Sequence, residues 1–335
     1  MANNHLLDVL TREGVLINVN IRFWRAQKKL NAEDIGLNRD DVNTRLISLG
    51  HKKLLPREAL ANLALIESRA HALVESNTFP FLNGLGHFLP NTKLQEVTGK
   101  LSEIEELFNI ATAEFLRQYR QLREQASREW RETARKLAVD PVKLVATIEA
   151  AFPDPDRMRR YFSFDMHLFE IKVPERLGLD LVTLADQQNI IKAREQAAQE
   201  ASNKISSGVN SFIADCVATM RQETSKLCEE MLESMKTGKT GVHQKTLNRL
   251  LNFIDHFKQL NFAGDQELNS VLEKFRDQFL EVNAEYYRDS SIEQSRLQKG
   301  IKALADTTRQ MAGQDAQDIV QQFGQMGVRK FNLAA

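Results

Sequence analysis

The sequence predicts a mainly α protein: long antiparallel helical hairpins or a bundle with coiled-coil character, carrying one small antiparallel β-sheet. Three observations predict it. All seven prolines (Pro56, Pro80, Pro90, Pro141, Pro153, Pro155, Pro174) precede residue 175, so the remainder to Ala335 lacks the residue that breaks helices. Long windows repeat apolar residues at three-and-four spacing, which lines one face of a helix. Only two stretches, near 15–23 and 162–173, alternate apolar with polar residues as a half-buried strand does.

Taken in order, 5–11 suits a short helix, and Gly14 supplies a turn before the first strand (Val15, Ile17, Val19, Ile21 and Phe23 on one face). Asn31 to Ile35 suits a short capped turn ended by Gly36. A helix is expected over 57–75 on an apolar stripe that includes Leu60, Leu63, Ile66 and Ala70. Residues 78–90 hold two glycines, two prolines and three phenylalanines without periodicity, and read as a loop pinned by aromatic plugs.

A helical pattern then runs over 92–137, its apolar side formed by residues such as Leu101, Leu107, Phe108, Phe115, Tyr119 and Trp130. It would reach roughly 60–70 Å, an arm of a hairpin, with Gly99 as an irregularity. Pro141 begins a helix after Asp140. In the second strand Phe162, Phe164, Met166 and Leu168 share a face until the phase slips at Phe169, towards Ile171, Val173 and a closing Pro174. Two strands alone are marginal, so the sheet needs a helix beneath it or further strands.

Beyond Pro174 the pattern is helical throughout: 180–235, then helices marked by Leu247 to Leu260 and by Leu268 to Val282. In the last helix Leu297, Ile301, Leu304, Thr308 and Met311 form a coiled-coil seam. The expected organisation is a mixed α+β base at 1–174, with the long arm at 92–137, followed by an all-helical bundle at 175–335.

Composition bounds the function. With 42% hydrophobic residues the chain is globular rather than disordered. Lysine plus arginine (45) balance aspartate plus glutamate (45), and neutrality holds on both sides of Pro174. A dedicated nucleic-acid binder carries a basic excess that this chain lacks. Residues 1–16 lack the basic stretch and apolar core of a secretory signal, so none is expected there, and no apolar run reaches the length that spans a bilayer. Cys216 and Cys228 lie about 18 Å apart along one helix, too far to pair within it. The expected location is the cytoplasm.

No motif for chemistry survives inspection. Gly238-Lys239-Thr240 imitates a phosphate loop, but the glycine needed before it is Glu233 and no buried strand precedes it, so a helix–helix turn is the better reading. The seven histidines are scattered singly, the cysteines sit on apolar helical faces, and no Gly-x-Ser-x-Gly occurs. His167 and Asp165 share a strand face that suits a solvent-facing pair better than acid–base work. The expectation is no enzyme, no cofactor and no metal.

Two features remain as candidate sites. Arg117, Arg120, Arg128, Arg131 and Arg135 fall within about an 80° arc of the long helix and suit a phosphate backbone or an acidic partner. Glu124 shares the arc, however, Glu114 and Glu132 lie beside it, and such mixed charge more often marks a solvated face stapled by intrahelical pairs. The 79–90 segment, through Phe79, Phe81, Leu85, Phe88 and Leu89, suits an interaction loop or, in a membrane-acting protein, an interfacial tongue, although for so short a segment interdigitation into the core is the stronger reading.

The run Gly14 to Val19, Trp24 to Leu30 and Gly50 to Pro56, with Tyr161 to Phe164 and Ile171 to Pro174, resembles a family known as a domain of unknown function over about 14–174. The resemblance implies a protein of bacterial mobile elements and phages, encoded beside a MoxR- or CobS-like AAA+ ATPase and a protein with a von Willebrand factor A domain. It thereby implies a non-catalytic, oligomerising component or adaptor of an ATPase-linked system, in element maintenance or phage defence. Its partners would be further copies of itself, the ATPase and the von Willebrand factor A protein. Nucleic-acid association through the arginines is the alternative, and membrane action a further one.

Overall fold

The computed structural model describes residues 2–35, 37, 42–43, 45–84, 86–137, 140–170, 187–237, 242–313, 318–321 and 323. Its helices are α1 (Ala2–Glu13), α2 (Ala61–Asn77), α3 (Asn91–Leu137), α4 (Pro141–Ala151), α5 (Gln187–Thr237), α6 (Gln244–Leu260), α7 (Gln266–Phe279), α8 (Ala284–Arg288) and α9 (Ser291–Ala312). Its strands are β1 (Gly14–Arg22), β2 (Gln27–Lys29), β3 (His51–Lys53), β4 (Phe79–Phe81), β5 (Gly86–Pro90) and β6 (Ser163–Phe169). The protein is mainly α with a small antiparallel sheet, as the sequence indicates.

That sheet has four strands in the order β4-β5-β1-β6, and β2 pairs with β3 in a separate ribbon. The two strands legible from alternation, β1 and β6, are neighbours. The other two come from the segment expected to be a loop. Phe79 pairs with Phe88, Pro80 with His87 and Phe81 with Gly86, and β5 continues onto β1 with Gly14 opposite Pro90. Pro80 is tolerated because β4 is the edge strand, where no partner requires its missing N–H. Gly14 is not a turn residue: it begins β1, and a Cβ there would stand 2.4 Å from the Leu89 carbonyl oxygen.

The chain forms two compact units, neither of them one continuous stretch. The first comprises Met1–Ile17, Asn77–Gln95 and Leu168–Ala335, the second Asn18–Ser76 and Glu96–His167. The sequence boundary at Pro174, the strand positions Ile171 and Val173, the turn at Gly238-Lys239-Thr240 and Gly36 lie outside the described residues.

The core of the first unit is the helical bundle. Leu297, Ile301, Leu304, Thr308 and Met311 are all buried, so the coiled-coil seam of α9 is spent on packing within the chain, against α5. On α5 the buried face runs from Val209 through Phe212, Ile213, Cys216 and Met220 to Met235. Phe81 packs on Phe212 (ring centroids 4.9 Å apart) and Phe88 on Phe262 (4.7 Å), which ties the β4–β5 hairpin to the bundle. Arg221 of α5 is buried and fully engaged: Nε donates to Asp265 Oδ2 at 2.7 Å and Nη1 to the Met311 carbonyl at 2.8 Å. Asp265 in turn caps α7 by accepting from Leu268 N.

In the second unit the inner face of α3 buries Leu101, Phe108, Ala111, Phe115, Tyr119, Ala126 and Ala134. Helix α3 therefore has a packed inner side and is not a bare arm, and it passes through Gly99 unbroken. Leu107, expected on that inner side, is 46% exposed. Trp24 lies 5.7 Å from Tyr119, 6.0 Å from Phe152 and 6.4 Å from Phe115, and Phe162 lies 5.6 Å from Phe115. These rings hold α4 and the following 3₁₀ turn (Pro155–Tyr161) against α3.

Candidate functional site: an arginine-lined groove on α3

Within the second unit the packing of α4 on α3 leaves an open groove of about 660 Å³, lined by Arg120, Arg123, Glu124, Ser127, Arg128 and Arg131 of α3, Glu149 of α4, and Pro155. Four guanidinium groups face two carboxylates, so the lining is net basic. The arrangement follows from local sequence. Asp140 accepts from Lys143 N and, with Pro141 in the first turn, starts α4. Leu144 and Ile148 are buried, and Glu149 is turned towards Arg131, which it meets at 2.8 Å.

Arg123 stands over the Phe152 ring, 5.6 Å from its centroid, and its Nη2 donates to the Glu149 carbonyl at 3.5 Å. Beneath it, the Tyr119 hydroxyl donates to the Pro153 carbonyl at 2.8 Å. Burial pushes the Tyr119 phenol up to about 12 against the opposing pull of the Arg123 charge, so this hydroxyl is a structural donor at neutral pH.

Arginine stays protonated over the whole accessible pH range and offers a fork of donors that matches carboxylate and phosphate oxygens. The groove therefore presents fixed positive charge and hydrogen-bond donors. Arg120 and Arg128 are exposed and form no ion pair among the described residues, which leaves both guanidiniums available to a ligand.

Of the five arginines singled out in the sequence, Arg120, Arg128 and Arg131 line this groove together. Arg117 lies along the same helix beside Glu114, at 3.9 Å, and Arg135 lies further on, exposed. The sequence reading missed Arg123 and Glu149. Arg123 sits outside the 80° arc and joins the groove only because α4 packs beside it, which helical periodicity cannot show.

The second candidate has a different fate. Phe79, Phe81, Phe88 and Leu89 are all buried in the first unit, where they build the hairpin and its aromatic contacts, and Leu85 lies outside the described residues. The apolar groups that an interaction loop or a membrane tongue needs are thus used for packing. His167 is exposed and Asp165 half-buried on β6. Among the described residues no group of three histidine, cysteine or acidic side chains could hold a metal, and no helix is long and apolar enough to cross a membrane.

Fold and site together define a mainly α protein with an arginine-lined groove and a small sheet of four strands. The chain belongs to the family described as protein of unknown function (DUF3150), whose model matches residues 11–305 and so spans all of the second compact unit and most of the first. No similarity to a curated protein or to a solved structure is detected.

Proposed function

We propose that this protein is a non-enzymatic helical interaction component, cytoplasmic, that joins a larger assembly through the solvent face of α3. The observation that carries the reading is the groove: exposed arginines, two of them without an ion pair among the described residues, on a helix whose opposite side is fixed by a buried aromatic cluster. A rigid helix with unsatisfied donors suits recognition of an acidic partner surface. In this reading the assembly is the ATPase-linked system of a bacterial mobile element or phage-defence locus that the family resemblance implies. Its AAA+ ATPase and von Willebrand factor A protein are the partners, alongside further copies of the chain.

The test is co-expression with those two proteins and measurement of what the tagged chain retains. The native chain is expected to retain at least one of them, and Arg128→Glu with Arg131→Glu to lower retention by about tenfold. Equal retention by that variant would remove the groove from the interface.

The same arginines favour a second reading, binding to a nucleic-acid backbone. It requires affinity for an oligonucleotide at low salt that falls linearly, on logarithmic axes, as salt is added.

A further inference from the structure

The zero net charge conceals a separation of charge along α3. From residue 91 to 114 the helix carries five glutamates (Glu96, Glu103, Glu105, Glu106, Glu114) against two lysines. From 117 to 136 it carries seven basic side chains against three glutamates. Both ends present this charge on the same side. Glu103, Glu106 and Glu114, then Arg120, Arg128 and Arg131, fall within about 120° of arc, and all six are exposed. Glu103 and Glu106, like Arg120 and Arg128, form no ion pair among the described residues. Between the glutamates, Leu107 and Ile110 are 46% and 64% exposed.

Such a helix is complementary to itself when reversed. The geometry points to a second copy of this chain docking antiparallel along α3, with a two-fold axis at Arg117. This inference rests on the interaction reading above and names the surface and the occupant. In that register Glu103 meets the second copy's Arg131, Glu106 its Arg128 and Glu114 its Arg120. Each pair sums to the same register, 234, so one axis brings the members of all three pairs to the same height across the seam, and the two-fold repeats each pair.

Glu114, already 3.9 Å from its own Arg117, would then bridge two guanidiniums and offset the approach of the two Arg117 side chains at the axis. Leu107 and Ile110 lose water in the same contact. The strip is about 42 Å long and one helix, about 10 Å, wide, or roughly 400 Å² on each copy. That is the size class of transient complexes, so the pair is weak, reversible and sensitive to salt.

The experiment is sedimentation equilibrium of the full chain at low salt and at about 0.5 M salt, where charges a few ångströms apart are screened. The native chain is expected to show a concentration-dependent dimer that weakens in salt. Arg128→Glu/Arg131→Glu turns four of the six cross-axis contacts repulsive, as does Glu103→Arg/Glu106→Arg. Each variant is expected to dissociate at least about tenfold more readily. An equimolar mixture of the two is expected to associate again, because each then faces its opposite charge.

All four positions are exposed, and unchanged circular dichroism establishes that the variants are folded. A native chain that is monomeric throughout, a dimer indifferent to both reversals, or a mixture that stays monomeric overturns the inference. Oligonucleotide binding by a monomeric chain, lost in Arg128→Glu/Arg131→Glu, also overturns it and assigns the arginines to phosphate. The wider reading fails separately: it fails if the native dimer forms but neither the ATPase nor the von Willebrand factor A protein is retained. Retention of either by a chain that never dimerises sinks only the self-association.

Discussion

Arg221 and the two cysteines show how much of this protein is decided by single buried groups. Arg221 is 2% exposed and satisfies its charge with Asp265, 3.2 Å from its Nη2 as well as 2.7 Å from its Nε, and with the carbonyl at the end of α9. Removing one member of a buried pair strands the other, so Arg221→Met is expected to cost about 3–5 kcal/mol in urea unfolding. Arg221→Met/Asp265→Asn, which removes both charges, should cost clearly less than Arg221→Met alone. A double variant at least as damaged would show that the ion pair is not the reason.

The thiols give a pH dependence. Burial pushes Cys216 up, helped by the Asp215 carboxylate, and pushes Cys228 up to about 12, from an ordinary value near 9. The folded state therefore keeps protons that the unfolded chain gives up. Their contribution is intact below about pH 9 and is lost as pH rises from there towards 12, by up to about 1.4 kcal/mol per pH unit for each thiol. Urea midpoints at about pH 8 and 10.5 should differ accordingly, and Cys216→Ala/Cys228→Ala should flatten the difference. Of the two roles only the thiols' burial was legible in the sequence. Cysteine on an apolar face announces burial, but an arginine in a helix carries no mark of the aspartate that awaits it 44 residues later.

Elements with a local period were readable and elements built by pairing were not. Helices α3, α5, α6 and α9 declare themselves because a 3.6-residue repeat needs no partner to be visible, and β1 does so by strict alternation. The β4–β5 hairpin hides. It is short, its alternation of Phe79, Pro80 and Phe81 is interrupted by the turn, and Phe88, Leu89 and Pro90 are all buried together. The groove on α3 was half legible for the same reason: the arginines share an arc, while Arg123 and Glu149 meet through packing alone.

Two glycines separate close approach from freedom at this scale. Gly14→Ala would drive a methyl into the Leu89 carbonyl, a backbone atom that cannot swing aside, and should destabilise by about 1–3 kcal/mol. Gly99 in α3 has nothing within 4 Å of a Cβ, so Gly99→Ala should instead stabilise by about 1 kcal/mol through helix propensity. Thermal unfolding of the two variants reads opposite signs. A loss at Gly99 would show that the exposed side of α3 is already occupied.

For the whole molecule, composition suggests a cut at Pro174, where prolines cease, while the compact units interleave across that line. The first unit draws Met1–Ile17 and Asn77–Gln95 into the helical second half, where they cover part of its aromatic face. Phe212 and Phe262 are covered by Phe79, Phe81 and Phe88 from the hairpin, and Leu7 and Leu10 of α1 join the same core. Burying one such phenylalanine is worth about 2 kcal/mol, so losing three costs roughly 6 kcal/mol, which is comparable to the whole stability of an ordinary domain. A fragment of residues 175–335 should therefore keep much of its helical circular dichroism but lose near-ultraviolet signal and cooperative melting, and should bind a hydrophobic dye. Adding residues 1–174 in trans should restore the cooperative transition, since α1 and the hairpin return with them. A fragment that melts cooperatively near the native temperature on its own would show that the helical half is autonomous and that the hairpin only decorates it.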